Sequence, residues 1–130
     1  MPFHDMYEYQ ARTQQYMVDN GFYTVGYEEV PCDSAEIAGY HLLHLTSEIG
    51  ELINSDARWK SHHAQTFDPN NKLEELADVF IEWMNVAIFS GFTPEMIFSA
   101  ISDKLVQVRR RAVDEAEGES EVEPNGERGD

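Results

Sequence analysis

The residues best suited to chemistry are two acidic pairs, Glu48 with Glu51 and Glu75 with Asp78. Residues three positions apart lie on the same side of a helix, so each pair would present two carboxylates together, at the margin of an apolar stripe. Two such pairs facing each other would repel strongly unless a positive charge lay between them. Carboxylate oxygens are the ligands that Mg²⁺ prefers. The spacing therefore predicts a Mg²⁺ site between two helices.

A later segment carries a complementary basic set, formed by Lys104, Gln107 and Arg111. These three residues share one face of a helix at positions i, i+3 and i+7. Lysine acts on phosphate as a point charge, whereas arginine binds it as a two-pronged donor. The set predicts a binding site for the phosphates of a nucleotide.

Two further residues lie beside the acidic pairs. Glu82 is one turn beyond Asp78, and it could hold a second metal ion or contact a base. His44 lies on the same side of its helix as Glu48 and three positions after His41. A histidine pair with this spacing is more often the polar rim of a core than a metal site, and both interpretations stay open here.

Four helices must position these residues. The apolar periodicity predicts them over about 5–19, 35–57, 69–90 and 94–113, with loops at 21–33 and 58–68. Asn20-Gly21 and Gly91 are stop signals, and Asp33-Ser34, Asp68-Pro69 and Thr93-Pro94 are start signals. The prediction is an all-α fold, a small four-helix bundle in one domain over residues 1–113.

Charge and composition narrow the class of protein. The formal net charge is -16, and residues 114–130 hold eight acidic residues against one arginine. That segment has too little apolar surface to fold alone, so we predict a disordered acidic tail. The acidic body argues against binding to duplex nucleic acid. One cysteine and the lack of a signal-peptide core or a membrane-length apolar run predict a cytoplasmic location without membrane contact.

The motifs Ser47-Glu48-Ile49-Gly50-Glu51-Leu52 and Glu74-Glu75-Leu76-Ala77-Asp78-Val79, followed by a basic helix, carry a family resemblance. They resemble the paired E-x-x-E and E-x-x-D signature of the MazG-like, all-α nucleoside triphosphate pyrophosphatases. Each motif alone is common on helices, but the two in order before a basic helix form a far more specific set. The similarity covers about residues 40–112.

The resemblance implies an Mg²⁺-dependent pyrophosphohydrolase, with Mn²⁺ as an alternative ion. Its substrate would be a nucleoside triphosphate, split into a monophosphate and pyrophosphate by water attack on the α phosphorus. Glu48, Glu51, Glu75 and Asp78 match the metal ligands, and Glu48 or Glu51 would also orient or deprotonate the water. Gln107 departs from the asparagine of many relatives, which leaves the sugar and phosphate contacts open. Relatives assemble as oligomers, so a homodimer or homotetramer is expected, with base contacts from the first helix and the loop 58–68.

Other functions compete with this one. A non-catalytic helical module could bind a basic partner through the acidic tail. A ferritin-like di-iron site would need Glu-x-x-His on two helices, which neither acidic helix contains, and the zinc motif H-E-x-x-H is absent.

Overall fold

A computed structural model describes residues 1–24, 28–60 and 67–121 of the chain, with side chains described up to residue 118. Within these ranges four helices follow one another: α1 (Phe3–Asp19), α2 (Ala35–Ser55), α3 (Pro69–Phe89) and α4 (Pro94–Glu121). No strand forms within these ranges, where the extended backbone is limited to one bridge between Asp33 and Ser90. The all-helical prediction is confirmed. In the described ranges no helix combines the length and apolarity needed to cross a bilayer.

The helices that carry the acids begin at the predicted start signals. The Ser34 hydroxyl accepts a hydrogen bond from the Ile37 backbone at 3.2 Å and so caps α2. The Asp68 carboxylate accepts one from the Asn70 backbone at 2.9 Å, and Pro69 occupies the first position of α3. Each cap supplies an acceptor to an N–H group that the helix itself leaves unpaired.

Both predicted glycine stops close a helix in the same way. Gly21 and Gly91 have φ values of +73° and +82°, a left-handed conformation that costs glycine little. After α3, the Gly91 N–H donates to the Ile88 carbonyl and the Phe92 N–H donates to the Ala87 carbonyl. The same pair of bonds closes α1, so both ends form the Schellman arrangement.

Helix α3 is the centre of the first unit, Met1–Pro94, because both α1 and α2 pack against it. The buried apolar side chains include Tyr7 from α1, Ile37 from α2, and Met84, Ile88 and Phe89 from α3. The Tyr7 hydroxyl donates a hydrogen bond of 2.8 Å to the Phe92 carbonyl, which ties α1 to the segment after α3. This packing fixes the register of α2 on α3 and thereby the position of their acidic residues.

Helix α4 belongs to a second unit, Glu95–Asp130, and ends later than predicted. It continues from Val113 to Glu121, so the first eight residues of the predicted disordered tail are helical. Alanine and glutamate are strong helix formers and extend a helix already nucleated upstream, an effect that a composition argument overlooks. Residues 122–130 of the predicted tail lie outside the described residues, as do 61–66 of the loop 58–68 and 25–27 of the loop 21–33.

Candidate active site

Acidic side chains from α2 and α3 converge at the interface of the two helices. One carboxylate oxygen each from Glu48, Glu51 and Glu75 lies within 4.8 Å of the other two. Glu48 and Glu51 are three positions apart on α2, so both point toward α3, where Glu75 meets them. The packing of the two helices thus brings together the predicted E-x-x-E pair and the first acid of the E-x-x-D pair.

Two oxygens in this cluster are enclosed and lack a hydrogen-bond donor. They are Oε2 of Glu48 and Oε2 of Glu75, each cut off from solvent and without a partner among the described residues. A carboxylate oxygen removed from water loses its hydration, and a structure normally replaces that loss with a donor. Each of these two oxygens therefore lacks the cation or hydrogen-bond donor that would replace its lost hydration.

The electrostatics of the cluster agree with this geometry. Burial raises the pKa of Glu48, and the carboxylates of Glu51 and Asp78 raise it further, while nearby His44 lowers it. Burial also raises the pKa of Glu75, again with added contributions from Glu51 and Asp78. In the described part of the chain, none of these four acids is paired with a lysine or arginine. The cluster concentrates negative charge that no lysine or arginine of the described residues pairs with.

These residues fit a divalent cation of the Mg²⁺ type. The donor set consists of carboxylate oxygens, which hard cations prefer, and it comes from two rigid helices. The two enclosed oxygens of Glu48 and Glu75 are the strongest sign of the fit, because a cation bound to them would replace the donors that they lack. The exposed Glu51 leaves one side of the cluster open to solvent and to a ligand.

The remaining predicted site residues lie in different places. Asp78 is exposed on α3 and acts on Glu48 and Glu75 through its charge rather than as a member of the close cluster. Lys104, Gln107 and Arg111 are exposed on α4, where Gln107 and Arg111 border a shallow depression with Arg110 and Asp114. That these α4 side chains bind phosphate stays a prediction from the sequence.

A cleft of about 630 Å³ opens in the first unit, lined by α1, α2, α3 and the segment after α1. Its wall includes His44, one turn before Glu48, and Glu82, one turn after Asp78. One turn corresponds to about 5.4 Å along a helix axis, so the cleft lies beside the acidic cluster. Aromatic and apolar side chains form much of the rest, among them Met17, Phe22, Tyr40 and Ile81. The cleft is thus large enough and apolar enough for a planar organic group.

Five polar side chains in the wall of the cleft form a closed ring of hydrogen bonds. Asn85 Nδ2 donates to Glu82 Oε1 (3.1 Å), and Gln14 Nε2 donates to Asn85 Oδ1 (2.9 Å). The Tyr23 hydroxyl bonds to Gln14 Oε1, and its oxygen lies 3.0 Å from His41 Nε2. His41 Nδ1 lies 2.8 Å from Glu82 Oε2 and closes the ring. The bonds connect all three helices of the unit with the segment after α1.

The predicted residues Glu82 and His44 belong to this wall. Glu82 is buried, and its Oε1 lies 3.2 Å from Nδ1 of the half-exposed His44. His41, His44 and Glu82 could together offer three metal-binding atoms. Both oxygens of Glu82 and both nitrogens of His41 already have hydrogen-bonding neighbours. Neither residue therefore has a buried polar atom without a partner, as Glu48 and Glu75 do. The arrangement favours a role for Glu82 in shaping the cleft over a role as a metal ligand.

A separate polar contact joins the end of α2 to the start of α3. The Asp56 carboxylate accepts two bonds from the Arg58 guanidinium, at 2.8 and 2.9 Å, and one from Lys72 Nζ at 3.0 Å. These bonds hold the pKa of Asp56 well below its usual range. The Arg58 guanidinium also lies 3.2 Å above the ring of Phe67. These contacts fix the position of the end of α2 relative to the start of α3.

Sequence patterns missed the contribution of Gln14 and Tyr23 to one wall, left His41 open between a polar rim of the core and a metal site, and gave Asn85 only as a member of the polar stripe of α3. Gln14 and Asn85 are polar residues buried inside amphipathic helices, and each is only 2% exposed. Sequence patterns could not pair Gln14 with Asn85, because the two residues are 71 positions apart in the chain.

Comparison of this chain with protein-family models, with curated proteins and with solved structures finds no match in any of the three.

Proposed function

We propose that this protein is a Mg²⁺-dependent nucleoside triphosphate pyrophosphohydrolase of the MazG-like type. The observation that carries the proposal is the convergence of Glu48, Glu51 and Glu75, with two enclosed oxygens that have no donor. A solvated acidic surface would not bury carboxylate oxygens without partners, because that arrangement costs free energy without a compensating ligand. The neighbouring cleft supports the proposal, since a nucleotide needs room for a base and sugar beside its phosphates.

Each part of the site has a role in this reaction. Glu48, Glu51 and Glu75 would hold the cation, and Asp78 would add negative charge beside them. When bound, Mg²⁺ would lower the pKa of water and neutralise phosphate charge. The carboxylate of Glu48 or Glu51 orients a water molecule and takes its proton as the water oxygen attacks the α phosphorus. The bond from that phosphorus to the oxygen that bridges it to the β phosphate breaks, which yields a nucleoside monophosphate and pyrophosphate.

The cleft would receive the nucleoside. Its aromatic and apolar side chains suit the faces of a base, and its amides and imidazoles can meet the polar edge. The base contacts expected from the first helix have candidates in Gln10, Gln14 and Met17 of α1.

A panel of ribonucleoside and deoxyribonucleoside triphosphates tests the proposal. The full-length protein is incubated with each nucleotide and Mg²⁺, pyrophosphate is followed by a coupled assay, and the nucleotide product is identified. We expect a monophosphate and pyrophosphate from at least one nucleotide. Glu48→Gln and Glu75→Gln should each lower kcat/KM by at least about 100-fold, because each removes a charge that the site needs.

Glu74→Gln is the matched control, since Glu74 neighbours Glu75 on α3 but is exposed and outside the converging group. We expect this variant to retain the wild-type rate. Absence of pyrophosphate with every nucleotide would contradict the proposal, and so would wild-type rates in both the Glu48 and the Glu75 variants.

A further inference from the structure

The hydrogen-bond ring in the cleft wall has a definite proton requirement. Its five bonds join Glu82, Asn85, Gln14, Tyr23 and His41 in a closed circuit, so five hydrogens are needed. Each amide within the circuit donates to one neighbour and accepts from the other, and the tyrosine supplies one hydrogen. These three residues therefore supply three hydrogens, and His41 and Glu82 must supply the other two.

A neutral imidazole beside a carboxylate supplies only one hydrogen. In that state one bond of the ring has two lone pairs facing each other, either at Tyr23 or at Glu82. Turning both amide groups around reverses the direction of the bonds but leaves the number of hydrogens unchanged. The ring therefore closes only when the pair formed by His41 and Glu82 holds one proton more than a neutral imidazole and a carboxylate.

The surroundings indicate where this proton resides. Imidazole is a stronger base than carboxylate, and Glu82 Oε1 accepts a bond from Asn85 while it faces His44 Nδ1, both of which favour a negative Glu82. Burial raises the pKa of Tyr23 to about 12, with Tyr40 and Glu82 adding to the effect, so the tyrosine keeps its hydrogen at neutral pH.

The other faces of His41 bring no competing charge. The Phe89 ring stacks on the imidazole at 5.6 Å between ring centroids, and the Tyr40 ring contacts it edge-on at 5.0 Å. Glu36 is the other acid in the wall of this cleft, and no hydrogen bond or ion pair connects it to His41 within the described residues. Glu82 is thus the charged partner of His41, and an ion pair explains why both are buried.

We propose that His41 is a positioning residue that Glu82 holds as an imidazolium, and that this proton keeps the polar wall of the cleft closed for a nucleoside. The second part rests on the proposed function, because it takes the cleft as the nucleoside site. His41 acts through Tyr23, Gln14 and Asn85, whose amide and hydroxyl groups it holds in one orientation. Without this proton one bond of the ring is open, so only the protonated form binds substrate well.

Nitrogen NMR of the full-length protein with ¹⁵N-labelled histidine tests the first part without any activity measurement. His41→Gln assigns the His41 signals. At pH 7 the wild-type protein should show both ring nitrogens of His41 protonated. In Glu82→Gln the new amide donates to His41 Nδ1 and still accepts from Asn85, so the ring closes with a neutral His41. That variant should show Nε2 protonated and Nδ1 without a hydrogen.

The pH dependence of KM tests the second part, with a nucleotide that the panel shows to be a substrate. In the wild type KM should rise at alkaline pH, by up to about tenfold per pH unit once His41 loses its proton, because only the competent fraction binds. In Glu82→Gln this rise should disappear, since the amide supplies the hydrogen at every pH. In His44→Gln the rise should persist, which separates His41 from its neighbour.

The outcomes are distinct. A His41 nitrogen without hydrogen in the wild type at pH 7 overturns the proposal, and so does an alkaline rise of KM that survives in Glu82→Gln or disappears in His44→Gln. If no nucleotide is hydrolysed, the proposed function and the nucleoside role of the ring both fail. The NMR result then still decides the charge state of His41.

Discussion

The enclosed oxygens of Glu48 and Glu75 give the site a measurable effect on stability at the level of single residues. Both carboxyl groups have a pKa that is raised in the folded protein, chiefly by burial. A raised pKa means that the folded state binds these protons more tightly than the unfolded chain does. The resulting stabilisation is complete below the unfolded value of about 4.3 and is lost as the pH rises through the folded values.

We therefore expect the metal-free protein to lose thermal stability as the pH rises from about 4.3 toward neutrality. The pKa of Asp56 is lowered in the folded protein, so the stability that Asp56 contributes is lost only as the pH falls below about 3.9. That loss lies outside the pH range in which Glu48 and Glu75 act. Mg²⁺ at neutral pH should restore stability, by about 2.7 kcal/mol at a concentration 100-fold above its dissociation constant. Calorimetry with and without Mg²⁺ at several pH values measures both effects.

The double variant Glu48→Gln/Glu75→Gln should lose the pH effect and the response to Mg²⁺ together. Glu74→Gln removes only the smallest contribution to the raised pKa of Glu75, so it should keep most of the pH effect and the whole response to Mg²⁺. An equal Mg²⁺ response in the double variant and the wild type would show that the ion acts elsewhere.

At the level of elements, the site depends on where helices start and stop. Ser34 and Asp68 cap the two acidic helices, and Gly91 ends α3 so that the chain can turn back toward Asp33. Gly91 has a φ of +82°, and a Cβ added there would lie 3.4 Å from the backbone nitrogen and Cβ of Asp33. The conformation, more than the available space, demands glycine at this position.

Gly91→Ala should lower the free energy of unfolding by about 1–2 kcal/mol, the cost of a left-handed conformation for an L-residue. Gly39→Ala is a control of opposite sign. Gly39 lies within α2, where an added Cβ meets nothing within 4 Å, so the change should raise stability by up to about 1 kcal/mol. Urea denaturation of the two variants and the wild type measures both values. A Gly91→Ala variant with the same free energy of unfolding as the wild type would contradict the requirement for glycine at this turn.

These start and stop signals explain why the helices of the first unit were predictable. Each signal acts on neighbours in the chain, as Asp68 does on Asn70 and Gly91 does on Ile88. The end of α4 was wrong by eight residues because no breaker stands at Val113, and the continuation depends on the weak, cumulative preferences of residues such as Glu115 and Ala116. Local chemistry thus predicts sharp boundaries well and gradual ones poorly.

At the level of the whole molecule, a single copy leaves much apolar surface exposed. Large apolar side chains on α2 and α3 remain accessible, including Leu43 (76% exposed), Leu73 (64%), Leu42 (51%) and Leu76 (47%). Burial of such side chains against another copy would contribute about 25 cal/mol per Å² of apolar surface. This exposure accords with the homodimer or homotetramer expected from the sequence. The net charge of -16 favours positively charged partners, such as the basic partner of the competing function.

Sedimentation of the full-length protein and of a chain truncated after Val113 tests this expectation together with the competing function. We expect the full-length chain to sediment as a dimer or tetramer, well above its 14.9 kDa monomer mass. The truncated chain should keep its pyrophosphate release, because the acidic cluster lies on α2 and α3. A stable monomer with full activity would contradict the oligomer. Binding of a basic partner that is lost on truncation, with no hydrolysis in either chain, would favour the non-catalytic module.

The sequence by itself determined the helical class, the caps that start α2 and α3, the glycine stops that end α1 and α3, and the pairs of acids that share a helix face. All of these depend on interactions between residues a few positions apart. Tertiary structure decided how the side chains of α2 and α3 meet. It brings Glu75 to Glu48 and Glu51, and it shields one oxygen of Glu48 and one of Glu75 from water. It also decided that His41, Gln14 and Asn85 join one ring of hydrogen bonds with Glu82 and Tyr23. Such contacts depend on how α1 and α2 pack on α3, because side chains up to 71 positions apart meet only after that packing has formed.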